Sequence, residues 1–245
     1  MAAADSLRRR LPSDCPVTAV ILGINVAIFA LSLVLDGASA TRIGTAFMVG
    51  ARDVWVATGA FAPAVLAGEW WRLVVPMFVH GGIMHIAFNS MALADLGPAV
   101  ERTYGSARYL FLYVITGVVG FCATVGWSIV SGVPHLSVGA SGAVLGIVGV
   151  LLAITVKRGG AYMQMVRSQL LRSIGYTFLL GAVVNVDNAA HLGGLASGFA
   201  LGMLLADHPP ASAGQRNLAV ALAAVSALVV VLAFAALVFH VLVHR

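Results

Sequence analysis

Seven apolar stretches, most of them long enough to cross a membrane as a helix, follow one another along this chain of 245 residues. Of the residues, 60% are hydrophobic and 9% are charged, and the mean hydropathy is +0.99. Soluble domains carry about 25% charged residues, so this composition excludes an ordinary soluble fold. About 20 apolar residues span the hydrocarbon core as a helix. We therefore predict an all-α membrane protein with transmembrane helices at 17–35, 82–100, 109–131, 136–156, 171–186, 189–206 and 218–241.

The distribution of lysine and arginine predicts the orientation of these helices, because both residue types favour the cytoplasmic side of a membrane. With a cytoplasmic N-terminus, the inner segments hold Arg8, Arg9, Arg10, Arg102, Arg108, Lys157, Arg158, Arg167, Arg172 and Arg216, whereas the outer segments hold Arg42, Arg52, Arg72 and Arg245. We therefore expect a multi-pass protein of a bacterial cell membrane, with a cytoplasmic N-terminus and an extracytoplasmic C-terminus.

The net charge of +5 agrees with this topology and indicates contact with anionic lipids. No basic patch interleaved with aromatic residues is present, so we expect no nucleic-acid partner. The two cysteines, Cys15 and Cys122, lie near opposite ends of the predicted layout and form no disulfide framework. No H-E-x-x-H motif occurs, and no cysteine or carboxylate lies at metal-ligand spacing. We therefore expect neither a metal nor a cofactor.

The N-terminal region allows a second interpretation. The three arginines at 8–10, the apolar run after them and Ala38-Ser39-Ala40 resemble a cleavable signal peptide. The apolar run of about 19 residues is longer than a usual signal-peptide core, which favours a retained first helix. The connection that follows, 36–81, is rich in apolar residues, and we expect it to lie in the outer membrane interface rather than in water.

A serine flanked by small residues, Ser141 in Gly139-Ala140-Ser141-Gly142, lies inside the fourth apolar stretch. A polar residue is expensive in the membrane and is a candidate for function. Ser141 lies about five residues after the predicted start of its helix, where unpaired N–H groups and the helix dipole favour negative charge. The alternative is that small residues here only let helices approach closely. The motif is not the soluble-hydrolase G-x-S-x-G, because residue 143 is alanine.

A histidine, His191, lies near the outer start of the sixth apolar stretch. Glycines follow it at four-residue spacing, and the fourth stretch has two glycines at the same spacing; such faces let helix backbones approach closely. We therefore expect these two helices to meet near their outer ends and to bring Ser141 close to His191. An imidazole there can take the proton of an attacking serine. The glycines are Gly194, Gly198 and Gly202 in the sixth stretch and Gly142 and Gly146 in the fourth.

The second apolar stretch begins with a histidine-rich segment in which His85 and Asn89 are four residues apart and share one helix face. Both side chains offer donors that can stabilise the oxyanion of acyl transfer. We interpret His80 as a polar anchor at the membrane interface. Asp95 fits either a proton relay or a buried, paired structural carboxylate, and we favour the structural role.

Together these motifs resemble the rhomboid family of intramembrane serine proteases. The resemblance covers about residues 70–206, and the motifs occur in the family's order. They are Trp71-Arg72 in the first outer loop; His80-Gly81 with His85 and Asn89, as in H-G-x-x-x-H-x-x-x-N; Glu101-Arg102 with Gly105-Ser106 in an inner turn; Gly139-Ala140-Ser141-Gly142, as in G-x-S-G; and Ala190-His191 with Gly194 and Gly198, as in A-H-x-x-G-x-x-x-G.

The resemblance implies that Ser141 is the nucleophile and His191 the general base of a dyad without a third acid. It implies an oxyanion hole made by His85, Asn89 and the Ser141 backbone N–H, with Gly139 shaping it. The supporting residues that it implies are Trp71, Arg72, His80, Glu101, Arg102, Gly142, Gly194 and Gly198. The chain departs from the family at Leu145, where some members place an aromatic ring on the catalytic histidine.

The implied architecture is a rhomboid-like six-helix transmembrane bundle at 17–206 with a long outer loop at 36–81. A basic cytoplasmic tail at 1–16 precedes it, and a linker with one extra C-terminal helix follows at 207–245. The implied function is an intramembrane serine endopeptidase whose substrates are transmembrane proteins embedded among membrane lipids. The sequence leaves the oligomeric state open.

Hydrolysis within the membrane requires water, so we expect a polar cavity that opens outward between the second, fourth and sixth helices. The resemblance suggests the fifth helix and the turn at 185–190 as the gate for substrate. Two alternatives remain. One is a catalytically inactive relative that binds transmembrane clients, although Ser141 and His191 are both intact. The other is a small-solute or proton transporter with His85, Asp95 and His191 as a relay, although duplicated broken helices are missing.

Overall fold

The computed structural model describes residues 14–35, 52–183 and 186–243. The predictions for the tail at 1–13 and for the outer-loop residues 36–51, including the signal-peptide alternative, concern residues outside these ranges. Residues 184–185 of the predicted gate region and residues 244–245 also lie outside them.

The described chain is almost entirely helical, which confirms the all-α prediction. In chain order its elements are α1 (Pro16–Leu35), α2 (Arg52–Thr58), β1 (Ala60–Phe61), α3 (Ala62–Leu66), two 3-10 helices (Trp70–Leu73 and Val75–Phe78), α4 (Ile83–Tyr104), α5 (Ser106–Ser131), β2 (Leu136–Ser137), α6 (Ser141–Arg158), α7 (Gly160–Val183), α8 (Asn188–Leu204) and α9 (Ala213–Val243). The short strands pair antiparallel, with Ala60 opposite Ser137, and so join the outer loop to the segment before α6.

Five of the described helices are long and apolar enough to cross a membrane by length and composition, namely α1, α4, α5, α6 and α9. The other two predicted spans, α7 and α8, are not among these five, and α8 has only 17 residues. The other, α7, begins at Gly160 rather than 171 and occupies most of the inner loop expected at 157–170. The prediction of an inner loop was wrong because it was based on hydropathy. Glutamine, methionine and arginine, which occur in this segment, have high helix propensity.

Helix α6 lies at the centre of the bundle, where most of its residues are buried and it packs against α4, α5, α7 and α8. Its contact with α8 brings backbone against backbone. Gly194 faces the carbonyl group of Gly142, and Gly198 faces that of Gly146, so that a methyl group on either α8 glycine would collide with the carbonyl oxygen. The two glycine faces predicted from four-residue spacing therefore meet.

Glu101 joins three helices at the end of the bundle remote from the start of α6. Its buried carboxylate accepts hydrogen bonds from the backbone N–H of Val17 at 2.9 Å and from the backbone N–H and hydroxyl of Thr18 at 2.9 and 2.7 Å. The hydroxyl of Ser106 donates to the same carboxylate at 2.7 Å. This carboxylate of α4 therefore satisfies donors at the starts of α1 and α5 and links the three helices.

Charged residues predicted to be cytoplasmic lie at this same end. The contacts are Arg102 with Asp14 at 2.8 Å, Arg158 with Asp207 at 2.8 Å, and Arg108 with the carbonyl oxygen of His208 at 3.0 Å. Since α6 runs from Ser141 to Arg158, a rise of 1.5 Å per residue separates the charged end from Ser141 by about 25 Å. The serine therefore lies toward the opposite end of the bundle.

We expect Gly198→Ala to destabilise the fold, because its methyl group collides with the carbonyl oxygen of Gly146. Overpacking of this kind typically costs about 1–3 kcal/mol. The matched control is Gly23→Ala in α1, where no described atom lies within 4 Å of the new methyl group and alanine is the better helix former. The measurement is the thermal unfolding midpoint in detergent. Equal midpoints for the two variants would contradict the close approach of α6 and α8.

Candidate active site

Ser141 and His191 lie within hydrogen-bond distance of each other. The distance between Ser141 Oγ and His191 Nε2 is 2.8 Å, although the two residues are 50 positions apart in the chain. Ser141 is the first residue of α6, and His191 lies in the first turn of α8. The glycine contact between these helices sets the distance, and it leaves the His191 side chain 2% exposed.

The start of α6 is later than predicted, so Ser141 is the first helical residue rather than about the sixth. Gly139 has a φ of +127°, which ends any helical run before it and which residues with a side chain rarely adopt. The first N–H groups of a helix have no partner within the helix. Ser141 therefore lies where backbone donors and the positive end of the helix dipole face the reacting group.

The capped start of α8 and one aromatic ring contact hold His191 in place. Its backbone N–H donates to the carbonyl oxygen of Asp187 at 3.2 Å. The Asp187 carboxylate caps α8 by accepting from the Ala190 N–H at 2.9 Å and from the Thr124 hydroxyl at 2.5 Å. Phe178 of α7 meets the imidazole edge-on, with ring centroids 6.1 Å apart and an interplanar angle of 88°. The buried Nδ1 of His191 has no hydrogen-bond partner among the described residues.

Phe178 is a functional candidate that the sequence analysis missed. Leu145, at which the chain departs from family members with an aromatic residue there, is buried against Val148 and Leu170 and joins α6 to α7. The aromatic contact with His191 comes from α7. The sequence carried no signal for this contact, because Phe178 is one of many apolar residues in its helix and only the packing of α7 turns it toward the histidine.

His85 presents a donor toward the start of α6. The backbone N–H of Gly81 donates to His85 Nδ1 at 3.1 Å. In a neutral imidazole the accepting nitrogen carries no proton, so this bond assigns the proton to Nε2. A Cβ at Gly139 would lie 2.5 Å from His85 Nε2, so the donor lies against the backbone two residues before Ser141. It can therefore donate to an oxygen held beside Ser141.

The backbone around Gly139 is held by the outer loop. The Gly139 N–H donates to the carbonyl oxygen of Pro76 at 2.9 Å, and the positive φ and the His85 ring together leave room for glycine alone. Asn89 lies one turn after His85, is 6% exposed, and donates from Nδ2 to the His85 carbonyl oxygen at 3.0 Å. His85, Gly139 and Ser141 thus come together, with Asn89 next to His85 on α4.

His80 is buried within the protein, so the expectation of an interfacial anchor was wrong. It is 1% exposed, and its ring meets that of His85 edge-on with centroids 5.3 Å apart. Burial, with a smaller contribution from the neighbouring His85, lowers the pKa of His80 to about 3. The short helices before it turn the chain inward, which hydropathy alone did not indicate. His80 is therefore neutral and supports the His85 ring.

Arg72 organises the outer loop. Its side chain is 9% exposed and donates to the Glu69 carboxylate at 2.6 Å and to the carbonyl oxygens of Val56 and Gly59 at 2.9 Å each. The neighbouring Trp71 is also buried. One guanidinium therefore links the stretch 56–59 to Glu69.

The structure has a cavity of about 710 Å³ at the His191 end of α8, but not where the sequence analysis expected it. It lies between α5, the start of α8 and Phe178, and its lining is mainly apolar, with Trp127 and Leu192 among its walls. Neither Ser141 nor His191 lines it. The cavity expected from the sequence was polar and lay between the second, fourth and sixth predicted helices, which are α4, α6 and α8. The observed cavity is a different one, and glycine packing brings α6 and α8 into backbone contact.

Two further expectations concern acidic and metal-binding residues. The side chain of Asp95 is exposed, so its expected burial is wrong. It lies on the part of the α4 surface that faces away from the core, which the sequence did not distinguish from the buried face. Within the described ranges, no three His, Cys, Asp or Glu side chains come together as a metal site requires.

A comparison with family models finds the Rhomboid domain over residues 67–208. The chain belongs to the rhomboid family. The matched range contains Ser141, His191 and all the motifs that carried the resemblance.

Curated relatives carry names that agree with this membership. The chain is 37% identical over 175 residues to rhomboid protease GluP of Bacillus subtilis, an alignment that covers 69% of this chain and 33% of that protein. It is 36% identical over 141 residues to putative rhomboid protease YdcA of Bacillus subtilis, covering 57% of this chain and 69% of that one. Rhomboid protease AarA of Providencia stuartii is 27% identical over 199 residues, covering 73% and 68%. The chain thus spans about a third of GluP and about two thirds of YdcA and AarA.

We expect Phe178→Ala to slow reaction at Ser141, because the imidazole of His191 loses the ring that limits its rotation. An aromatic pair contributes about 0.5–1.5 kcal/mol, so we expect the rate of reaction at Ser141 to fall by up to about tenfold. The measurement is the rate of Ser141 labelling by a fluorophosphonate probe. The control is Tyr176→Ala, which removes an exposed ring from the same helix. Equal rates in both variants would show that Phe178 does not position His191.

Proposed function

We propose that this rhomboid protein is an intramembrane serine endopeptidase that uses a Ser141–His191 dyad. The observation that carries the proposal is the 2.8 Å distance between Ser141 Oγ and His191 Nε2 at the contact of two glycine-faced helices. A serine hydroxyl is a weak nucleophile until an adjacent base accepts its proton. A neutral imidazole at hydrogen-bond distance is such a base.

In the proposed reaction, Ser141 Oγ attacks the carbonyl carbon of a peptide bond while His191 Nε2 takes the hydroxyl proton. The tetrahedral intermediate collapses when His191 returns this proton to the leaving amine, and an acyl-serine remains. A water molecule then attacks the acyl carbon while His191 takes its proton. The bond from Ser141 Oγ to the acyl carbon breaks, His191 returns the proton to Oγ, and the carboxylic acid product leaves. Nδ1 of His191 has no hydrogen-bond partner among the described residues, which supports a dyad without a third, acidic residue. In the proposed site the ring of Phe178 and the capped start of α8 orient His191, a role that an acid has in a triad.

The oxyanion of each intermediate is proposed to receive hydrogen bonds from His85 Nε2, from the Ser141 backbone N–H and from Asn89. The Gly81–His85 bond supports this role, since it places the His85 proton on the nitrogen that faces Gly139. The start of α6 adds the positive end of a helix dipole. Donors that are fixed before substrate binds lower the barrier of such a reaction, and the Gly81–His85 bond supports a fixed donor at His85.

The proposed substrates are membrane proteins cleaved within or next to a transmembrane segment. A serine can attack only an exposed carbonyl carbon, whereas a helix in lipid hides its backbone. We therefore expect glycine, proline or small residues near the cleaved bond, where a helix unwinds easily. Helix α7 is the proposed gate, and its light packing supports this, since only Leu170 and Gly181 are fully buried among its residues.

The proposed organisation keeps a cytoplasmic tail at 1–16, the catalytic core at 17–206, and a linker with the extra helix at 207–245. The charged end formed around Glu101 and Asp207 supports a cytoplasmic position for that end, because lysine and arginine favour it. The dyad then lies toward the extracytoplasmic side of the membrane. Besides its protein substrates, the proposed partners of the protein are the membrane lipids that surround its helices.

The experiment that tests this function is cleavage of a panel of tagged single-span membrane proteins by the purified protein in detergent. We expect Ser141→Ala and His191→Ala each to lose cleavage by about 10³-fold or more, because the two residues act as a unit. The matched controls are Ser168→Ala and His208→Ala, which remove exposed residues of the same types. Cleavage that persists in Ser141→Ala would overturn the proposal. If no panel member is cut, fluorophosphonate labelling that depends on Ser141 separates a working site from an inactive client-binding relative.

A separate measurement tests the oxyanion donors. We expect His85→Ala to lower kcat by about 10²–10³-fold with little change in KM, because the lost hydrogen bond forms fully only with the charged intermediate. His208→Ala again serves as the control. A His85→Ala variant that changes KM alone would assign His85 to substrate binding instead.

A further inference from the structure

Helix α9, which lies outside the range matched by the Rhomboid domain, is docked against α5 along a narrow seam. Its fully buried residues are Ala219, Ser226 and Ala233, seven positions apart, which is the spacing of one continuous contact line on a packed helix. The large apolar residues on its other faces, such as Leu232 and Phe239, are exposed. One line of small residues therefore forms the fully buried part of its contact with the bundle.

The outer end of α9 contacts the segment 69–78 of the outer loop, which contains both 3-10 helices. The ring of Phe234 lies against that of Phe78, with centroids 5.8 Å apart. One and a half turns further on, the ring of His240 lies 5.0 Å from that of Trp71, and His240 Nε2 is 4.0 Å from Glu69 Oε1. The loop segment is thus covered by α9 at two separate points.

The same loop segment holds the backbone beside the nucleophile. The carbonyl oxygen of Pro76, two residues before Phe78, accepts the hydrogen bond of the Gly139 N–H at 2.9 Å. Gly139 in turn lies against His85 Nε2, two residues before Ser141. A 3-10 helix has poor internal hydrogen-bond geometry, so a short one depends on its neighbours for its position. The 3-10 helix Val75–Phe78 contacts α1, α6 and α9, and the α9 ring that lies on it is Phe234, closer to Phe78 (5.8 Å) than the Tyr113 ring of α5 (6.5 Å).

We propose that α9 positions the oxyanion loop, through Phe234 on Phe78 and the Pro76 carbonyl group on Gly139. Phe234 is a positioning residue, since it acts through the 3-10 helix Val75–Phe78 and contacts no reacting atom. Without its ring the Pro76 carbonyl shifts, the bond to Gly139 weakens, and the donors at His85 and Ser141 no longer converge. The consequence for catalysis rests on the proposed protease function, whereas the consequence for the loop does not.

The first test does not depend on activity. Hydrogen exchange of the amides in residues 136–141 is measured in detergent for the parent protein, Phe234→Ala and Phe239→Ala. Phe239 is the matched control, because it is a phenylalanine of the same helix that is 68% exposed. We expect exchange in this segment to rise at least about tenfold in Phe234→Ala and to stay unchanged in Phe239→Ala. Unchanged exchange in Phe234→Ala would overturn the proposal whether or not the protein is a protease.

The second test separates positioning from stability. With a membrane substrate that the parent cleaves, we expect Phe234→Ala to lower kcat about tenfold or more at unchanged KM, because misplaced groups lose rate rather than affinity. Val230→Ala removes a half-buried side chain one turn earlier in α9, so it lowers the unfolding midpoint but keeps kcat. Phe234→Leu, which keeps an apolar side chain on Phe78, restores most of kcat.

Two results would contradict the proposal in this second test. One is an equal loss of kcat in Val230→Ala and Phe234→Ala, which would mean that α9 acts only through stability. The other is a change in KM alone, which would place α9 in substrate binding. Absence of Ser141-dependent cleavage by the parent would instead overturn the proposed function, and the exchange measurement would still decide the role of α9.

Discussion

The rest of the structure depends on the contact between the glycine faces of α6 and α8. In lipid, helices gain little from hiding apolar side chains from their surroundings, so close backbone packing holds them together. Gly194 and Gly198 let α8 lie directly on the backbone of α6, and the same approach leaves 2.8 Å between His191 Nε2 and Ser141 Oγ. One interface therefore supports both the bundle and the site, and a substitution that widens it disturbs both.

Around this interface, polar groups are held by backbone contacts rather than by charged partners. The Gly81 N–H assigns the tautomer of His85, and the Pro76 carbonyl group holds Gly139. Buried polar groups are costly unless they are hydrogen-bonded, and most strongly so within a membrane. The ion pairs of Arg72, Arg102 and Arg158 lie toward the ends of the bundle, whereas the donors beside Ser141 are neutral groups. Such donors are suited to a charge that exists only during a reaction.

The sequence predicted those features that local spacing determines. Four-residue glycine spacing predicted the meeting of α6 and α8, and length and hydropathy predicted the all-α membrane fold. Features set by tertiary packing were missed. Hydropathy predicts a loop for the polar first half of α7, because hydropathy does not record helix propensity. The burial of His80 and the Phe178–His191 contact arise from how separate segments fold over one another, and no local pattern encodes that.

The measurement that tests the account most directly is an experimental structure of the protein after reaction with a fluorophosphonate. We predict a covalent bond from Ser141 Oγ to phosphorus, with the phosphoryl oxygen within hydrogen-bond distance of His85 Nε2 and the Ser141 N–H. His191 should remain against α6 through the glycine contact. An adduct on another residue, or a phosphoryl oxygen directed away from His85, would contradict the account.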